Sequence, residues 1–177
     1  MVRKIYSYKH TLTIAEQMMK QAQNNEDVEW HNSISTIMFC AFSLEGFLNH
    51  IGDELINEWN ELYENLKPKA KLVLLTDKYN IKVDFGKTPF QSFKIIFEIR
   101  NQLAHPKTKK HINSKYKLKI NENVAWDANR WEIYANLIDA EKIFNDTKQI
   151  IDELSKKFPI EKVPSFFPRS HALRGNA

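Results

Sequence analysis

The chain has 177 residues, of which 42% are hydrophobic and 27% are charged, with 4 glycines, 6 prolines and a single cysteine. This size predicts one domain with its own core, the few glycines and prolines favour long helices, and a lone cysteine excludes an intrachain disulfide. No apolar run approaches the roughly 20 residues that cross a bilayer, and the N-terminus lacks a signal peptide's apolar stretch. We therefore expect a cytoplasmic protein outside the membrane.

The first part of the chain carries two predicted helices. Thr13 and Glu16 have the spacing of a capping box, which predicts a first helix that ends at about Asn24. Apolar residues then recur at steps of three and four from Trp30 to Trp59. This period predicts a second helix of about eight turns with one continuous apolar stripe.

Two further helices are expected on either side of a loop. The stretch "KAKLVLLTDKY" over residues 69–79, just after Pro68, predicts a short third helix. Glycine, proline and aspartate in residues 80–89 are typical of a loop. A fourth helix is predicted from about Pro89, a residue well suited to a first helical turn, to Ala104.

The last part of the chain predicts a small hairpin and one long helix. "KYKLKI" alternates lysine with apolar residues, and "NEN" followed by "VAW" predicts a turn and a returning strand. A last helix is expected from about Asp127 to Phe158, followed by an extended or partly disordered tail over residues 159–177. The predicted fold is an all-α up-and-down bundle of four to five helices over residues 1–158, with a basic loop or β-hairpin insert before the last helix.

The fourth helix is apolar on two sides. Phe90, Phe93 and Phe97 form one stripe, while isoleucines and Leu103 lie round the far side. A helix that is apolar on two sides is buried on two sides. One side can pack on its own bundle, and we expect the other to meet a second copy, which predicts a homodimer through Pro89–His105.

Arg100 falls inside one of these apolar stripes. A guanidinium among phenylalanines and isoleucines needs a partner or a solvated cleft. Glu45 lies within the apolar stripe of the second helix, so the two opposite charges are expected to meet. The alternative to a functional pair is a structural salt bridge that fixes the register of the two helices.

Asn101 and His105 are four residues apart and share a helix face. Pro106 disfavours helical geometry at His105, so the helix is expected to end there. A histidine can serve as a general acid or base, and the end of a helix leaves its ring room to move. The alternative is a histidine that only caps the helix.

The segment from Arg100 to His105, "RNQLAH", resembles the R-x4-6-H motif of the HEPN superfamily of helical domains. The stretch "CAFSLEGFLNHIGDEL" over residues 40–55 is similar to the second helix of that family, in which a glutamate commonly faces the motif. Glu45 would be its counterpart. The resemblance implies a metal-independent ribonuclease of a toxin–antitoxin, abortive-infection or antiviral defence system, with RNA as substrate, an antitoxin protein as a further partner and no cofactor or metal.

Phosphodiester cleavage by the RNA 2′-hydroxyl needs a base, an acid and cations that stabilise the added negative charge. On this hypothesis His105 is the general acid or base, Arg100 clamps the phosphate, Asn101 orients the reacting groups and Glu45 positions Arg100. One histidine cannot fill both proton-transfer roles at once. Two copies of the motif across a dimer would supply both.

A basic segment follows the motif. The net charge is +4, and no acidic residue occurs between Glu98 and Glu122. Because phosphates attract lysines and bases stack on aromatic rings, the predicted RNA-binding residues are Lys107, Lys109, Lys110, Lys115 and Tyr116. The alternative is a solvated loop and hairpin face.

Three competing hypotheses remain at this point. The same fold could be a non-catalytic module that binds nucleic acid or protein, as an antitoxin or regulator does. His50 and Glu54 have a spacing used by metal-binding bundles, but the repeated Glu-x-x-His pattern is absent. Cys40, within "MFCAF", is expected to behave as a small buried hydrophobe and not as a nucleophile.

Overall fold

A computed structural model describes residues 6–105, 117–119, 125–127 and 129–160. The α-helices and strands within these ranges are α1 (Ser7–Asn24), α2 (Glu29–Leu55), α3 (Trp59–Leu62), α4 (Pro68–Lys78), α5 (Phe90–Ala104), β1 (Lys117–Lys119), β2 (Ala125–Asp127), α6 (Arg130–Ile133) and α7 (Leu137–Lys157), and a single 3-10 turn (Glu26–Val28) joins α1 to α2. Five helices are long, and α3 and α6 are single turns. The predicted all-helical bundle is confirmed.

Helix α2 is the centre of the bundle. It packs against α1, α4, α5 and α7, and Ile37, Leu44, Phe47 and Ile51 on it are fully buried. By length and composition alone, the stretch Glu26–Leu55 is apolar enough to cross a membrane. The central helix of a bundle has the same composition, because its neighbours cover it on several sides.

The predicted start of the first helix at Thr13 is wrong. Helix α1 begins six residues earlier, at Ser7. The Thr13 hydroxyl donates to the backbone carbonyl of Lys9, one turn back, at 3.0 Å. It therefore bonds within the helix instead of capping it, while Tyr8 and Leu12 extend the buried stripe toward the N-terminus.

The second helix also ends earlier than predicted, at Leu55 instead of Trp59. Glu58 adopts a left-handed backbone conformation with φ of 59°, and the chain turns back. The turn brings the Trp59 indole onto the α2 backbone at Gly52, where it is almost fully buried. The position of Trp59 fits the apolar period of α2, but the residue lies beyond the end of the helix and packs back onto it.

The fourth predicted helix is confirmed as α5, which follows Pro89 and ends at Ala104. Most of its two apolar sides is covered within one chain, since Phe93, Ile96 and Ile99 are at most 2% exposed and α5 packs against α2, α6 and α7, while Ile95 and Leu103 are half-buried. The side assigned to a second copy thus has cover from the same chain. The homodimer stays a prediction, and the second apolar side of α5 does not by itself require a partner copy.

The predicted last helix, Asp127 to Phe158, is wrong in its first third. Asp127 lies in β2, α6 makes a single turn, and α7 begins at Leu137. The side-chain oxygen of Asn136 accepts from the backbone N–H of Asp139 at 2.9 Å, which is the bond of an N-cap residue. This cap separates the two helices.

A polar contact joins α5 to α7 inside the apolar core. The Ser92 hydroxyl donates to the Asp146 carboxylate, and the Lys142 ammonium donates to the same carboxylate at 2.7 Å. Ser92 is fully buried and Asp146 is 5% exposed. The contact is directional, so it fixes how α5 is rotated against α7.

The predicted hairpin is present as an antiparallel pair of three-residue strands. Strand β1 pairs with β2, and Leu118 lies opposite Trp126. The residues between the two strands and those of the tail from 161 onward lie outside the described ranges.

Candidate functional site

A cleft of about 580 Å³ opens beside the C-terminal half of α5. Its walls come from α5, from the segment that leads into α4, from the loop before α5 and from one residue of α2. Arg100, Asn101, His105 and Glu45 all line it. The four residues that the sequence singled out for catalysis therefore share one cavity.

Arg100 and Glu45 form the expected ion pair, with Nη2 of the arginine donating to Oε2 of the glutamate. Their side chains are 20% and 26% exposed, so the pair lies at the cleft floor and is neither fully buried nor freely solvated. Nη1 of Arg100 donates to the Asn101 side-chain oxygen at 3.0 Å. The guanidinium also lies 5.7 Å from the centroid of the Phe97 ring. These contacts hold it in one orientation.

Glu45 has a second cationic partner that sequence reasoning missed. Lys71 of α4 is 1% exposed, and its Nζ lies 3.6 Å from Oε1 of Glu45. The same Nζ donates to the Asn49 side-chain oxygen at 2.8 Å. One carboxylate thus lies between two cations, Arg100 in the cleft and Lys71 buried behind it, and the formal charges of the three groups sum to +1, which favours an anion in the cleft.

His105 is exposed and forms the C-cap of α5. Its backbone N–H donates to the carbonyl of Asn101 at 3.1 Å. The residue ends the helix, as predicted, and it lines the same cleft as Arg100. An open position of this kind is what a proton-transferring histidine needs.

Cations predominate among the described residues around the cleft. The cationic lining residues are Lys67, Lys69, Lys94 and Arg100, and the acidic ones are Glu45 and Glu98. Each acid already has cationic partners, since Glu98 pairs with Arg130 and lies 3.8 Å from Lys94. The remaining positive charge attracts a phosphate.

Three phenylalanines form the apolar part of the same cleft. The ring centroids of Phe93 and Phe97 are 4.8 Å apart, and those of Phe85 and Phe93 are 6.1 Å apart with an angle of 63° between the planes. Phe93 and Phe97 are largely buried, whereas Phe85 is half-buried. The cleft thus offers an aromatic surface beside its cations.

The predicted RNA-binding residues lie outside the described ranges: Lys107, Lys109, Lys110, Lys115 and Tyr116. Among the described residues, the lysines that line the cleft are Lys94 of α5 and two from the start of α4, Lys67 and Lys69, in the sequence "LKPKAK". A signal was present there, since Lys67, Lys69 and Lys71 alternate at a helix start that has no acidic residue in its first turn. The apolar run that follows is typical of a core helix and does not indicate a binding site.

The competing sites can be located as well. His50 stacks on the Tyr8 ring, with centroids 5.7 Å apart, and within the described ranges no group of three or more His, Cys, Asp or Glu side chains is placed to hold a metal ion. Cys40 is fully buried, and this burial raises the pKa of its thiol to about 12. A thiol that stays protonated at neutral pH is not a nucleophile.

The chain matches no protein-family model, no curated protein and no solved structure. Inference about its function therefore depends on the residues and geometry of the cleft.

Proposed function

We propose that this chain is a metal-independent endoribonuclease of the HEPN type, which cleaves single-stranded RNA in the cytoplasm as a toxin or defence-system effector. The observation that carries the proposal is the convergence of Arg100, His105 and Glu45 on one open, basic cleft. Arg100 and Glu45 are 55 positions apart in the sequence and still form an ion pair there. An antitoxin-type protein is the further partner that this proposal implies.

The chemistry begins with removal of the proton from an RNA 2′-hydroxyl by the His105 imidazole. The 2′-oxygen forms a bond to the adjacent phosphorus, and the bond from phosphorus to the 5′-oxygen of the next nucleotide breaks. A protonated imidazole delivers a proton to that leaving oxygen. The products are a 2′,3′-cyclic phosphate and a free 5′-hydroxyl.

Arg100 is proposed to bind the non-bridging phosphate oxygens and to stabilise the charge that develops on them. Glu45 and Asn101 position its guanidinium, and Lys71 adds positive charge from behind the carboxylate. Imidazole and guanidinium together supply the proton-transfer and charge-stabilising groups that the reaction needs.

A homodimer completes the proposed site. His105 is the one histidine among the described residues that line the cleft, and the reaction needs a base and an acid. Two copies that place their clefts together supply two imidazoles and two arginines. The residues proposed to bind the RNA strand beyond the cleft follow His105 in the sequence and lie outside the described ranges: Lys107, Lys109, Lys110, Lys115 and Tyr116.

The second candidate function is a non-catalytic module that binds RNA or a protein. One observation favours it: the Arg100 guanidinium already donates to both Glu45 and Asn101. An arginine engaged in this way can serve the fold alone. In that case the cleft binds its ligand without cutting it.

The test is cleavage of single-stranded RNA by the purified chain in EDTA, with analysis of the product ends. We expect 2′,3′-cyclic phosphate ends from the parent protein. His105→Ala and Arg100→Ala should each lower the rate at least about a hundredfold, the range of a lost acid–base or charge-stabilising group. Arg100→Ala should still fold, because Glu45 keeps Lys71 as a partner.

His10→Ala is the matched control, since His10 is an exposed histidine of α1 outside the cleft. It should cleave at the parent rate. Cleavage that persists in both His105→Ala and Arg100→Ala would remove these residues from the chemistry. Tight RNA binding without any cleavage by the parent protein would favour the binding module.

A further inference from the structure

We propose that the α4 side of the cleft is a subsite for one unpaired nucleotide next to the scissile phosphate. Phe85 stacks on its base, and Lys67 and Lys69 bind its phosphate. This inference rests on the proposed function and deepens it, because it assigns the recognition of single-stranded RNA to residues outside the R-x4-H motif.

The two lysines are held on a helix start. Pro68 occupies the first turn of α4, and the backbone N–H of Lys71 donates to the carbonyl of Lys67 at 3.1 Å. Within the part of the chain that the structure describes, neither Lys67 nor Lys69 forms a salt bridge with a carboxylate. Both side chains are exposed on the cleft wall, so their charge is available to a phosphate.

Phe85 supplies the ring surface. Its ring meets Phe93 at an inclined angle on one side, and the Lys69 Nζ lies 5.1 Å from its centroid. The ring therefore packs against the core through Phe93 and also has the flexible Lys69 side chain beside it. When Lys69 moves to a phosphate, the ring is free to stack on a base, so one solvated cation–π contact is exchanged for an ion pair and a stacked base.

This arrangement selects for unpaired RNA. In a duplex the base faces are stacked on one another, whereas a single strand can turn a base onto an aromatic ring. Every base has such a face, so the subsite tolerates different sequences. It does require that a base be present.

Binding tests this without depending on cleavage. The probes are a fluorescent ten-nucleotide oligoadenylate and a ribose–phosphate oligomer of equal length that lacks bases. Both are titrated against protein in the non-cleaving His105→Ala background. Phe85→Leu should weaken oligoadenylate binding about tenfold and leave the baseless oligomer unchanged. Phe85→Tyr, which keeps the ring, should bind both as the parent does.

Replacement of Lys69 should give a different pattern of binding from replacement of Phe85. Lys69→Gln should weaken both oligomers alike and reduce the slope of log affinity against log salt by about 0.7, the value for one phosphate contact on a single strand. Lys78→Gln, an exposed lysine at the other end of α4, is the control and should change neither. Melting curves establish that each variant is folded.

Equal weakening of both oligomers by Phe85→Leu, or no weakening of either, would overturn the subsite. The proposed function fails separately, when protein with His105 restored binds oligoadenylate and leaves it uncut. Cleavage that depends on His105 but is indifferent to Phe85 overturns the subsite alone.

Discussion

Replacement of Lys71 by methionine should leave the fold intact and weaken RNA binding, although the lysine is almost fully buried. Its Nζ lies 3.6 Å from the Glu45 carboxylate, a separation worth about 5 kcal/mol at an effective dielectric constant near 20. Removing an ammonium group from water costs several kcal/mol, a similar amount. Methionine has nearly the same volume, and Glu45 keeps Arg100 as a partner.

The two energies nearly cancel, so we expect the free energy of unfolding to change by about 1 kcal/mol or less. For a chain of this size that moves the melting temperature by only about 2–4 °C. Loss of the positive charge should act on the cleft instead. A phosphate held by Arg100 would lie on the order of 8 Å from Lys71, a distance at which a unit charge contributes about 2 kcal/mol before solvent screening.

Screening in an open cleft reduces this to about 1 kcal/mol. The expected result is therefore roughly fivefold weaker binding of single-stranded RNA. Circular dichroism gives the melting temperature, and fluorescence anisotropy in the His105→Ala background gives the affinity. Lys78→Met, on the exposed end of α4, is the matched control. A large drop in melting temperature, or unchanged affinity in a folded protein, would refute the reasoning.

Two further predictions concern the core. Gly52→Ala places a Cβ inside the space of the Trp59 indole and should lower the free energy of unfolding, measured by urea titration, by about 3 kcal/mol. Gly46→Ala on the same helix is the control, because its Cβ meets only a 3.3 Å contact with Tyr8. An equal loss of stability in Gly46→Ala would refute the packing argument. Burial raises the pKa of Cys40 from 9.0 to about 12. The contribution of the buried thiol to the free energy of unfolding is therefore complete below about pH 9 and is lost as pH rises toward 12. Cys40→Ala should flatten this decline in stability at alkaline pH, and an unchanged pH profile would contradict the prediction.

Sequence reasoning succeeded where a residue conflicted with its local pattern. Arg100 and Glu45 were each a charge inside an apolar stripe, and pairing them was the simplest way to satisfy both. The end of α5 followed from Pro106 in the same way, because a proline restricts the residue before it. In both cases the signal was a residue that conflicts with its immediate neighbours, although the Arg100–Glu45 contact itself joins residues 55 positions apart.

It failed where a residue fitted its local pattern and gave no sign of its real contact. Lys71 looks like one of several solvated lysines, and only the approach of α4 to α2 shows that it is buried beside Glu45. Trp59 fitted the helical period of α2 but packs back onto Gly52 from beyond a turn. The second apolar side of α5 suggested another copy, but Ile96 and Ile99 on it are buried within the same chain, so this side does not identify a partner and the homodimer stays a prediction. Periodicity identifies a buried face without identifying what covers it.

Two carboxylates accept hydrogen bonds from α5 at different positions along the helix: Asp146 from Ser92 and Glu45 from Arg100. Eight residues separate Ser92 from Arg100, a rise of about 12 Å, and the two carboxylates belong to different helices. A rotation of α5 about its axis would break both hydrogen bonds at once. Loss of either contact alone would therefore leave the other to hold α5 in the orientation that directs Arg100 into the cleft.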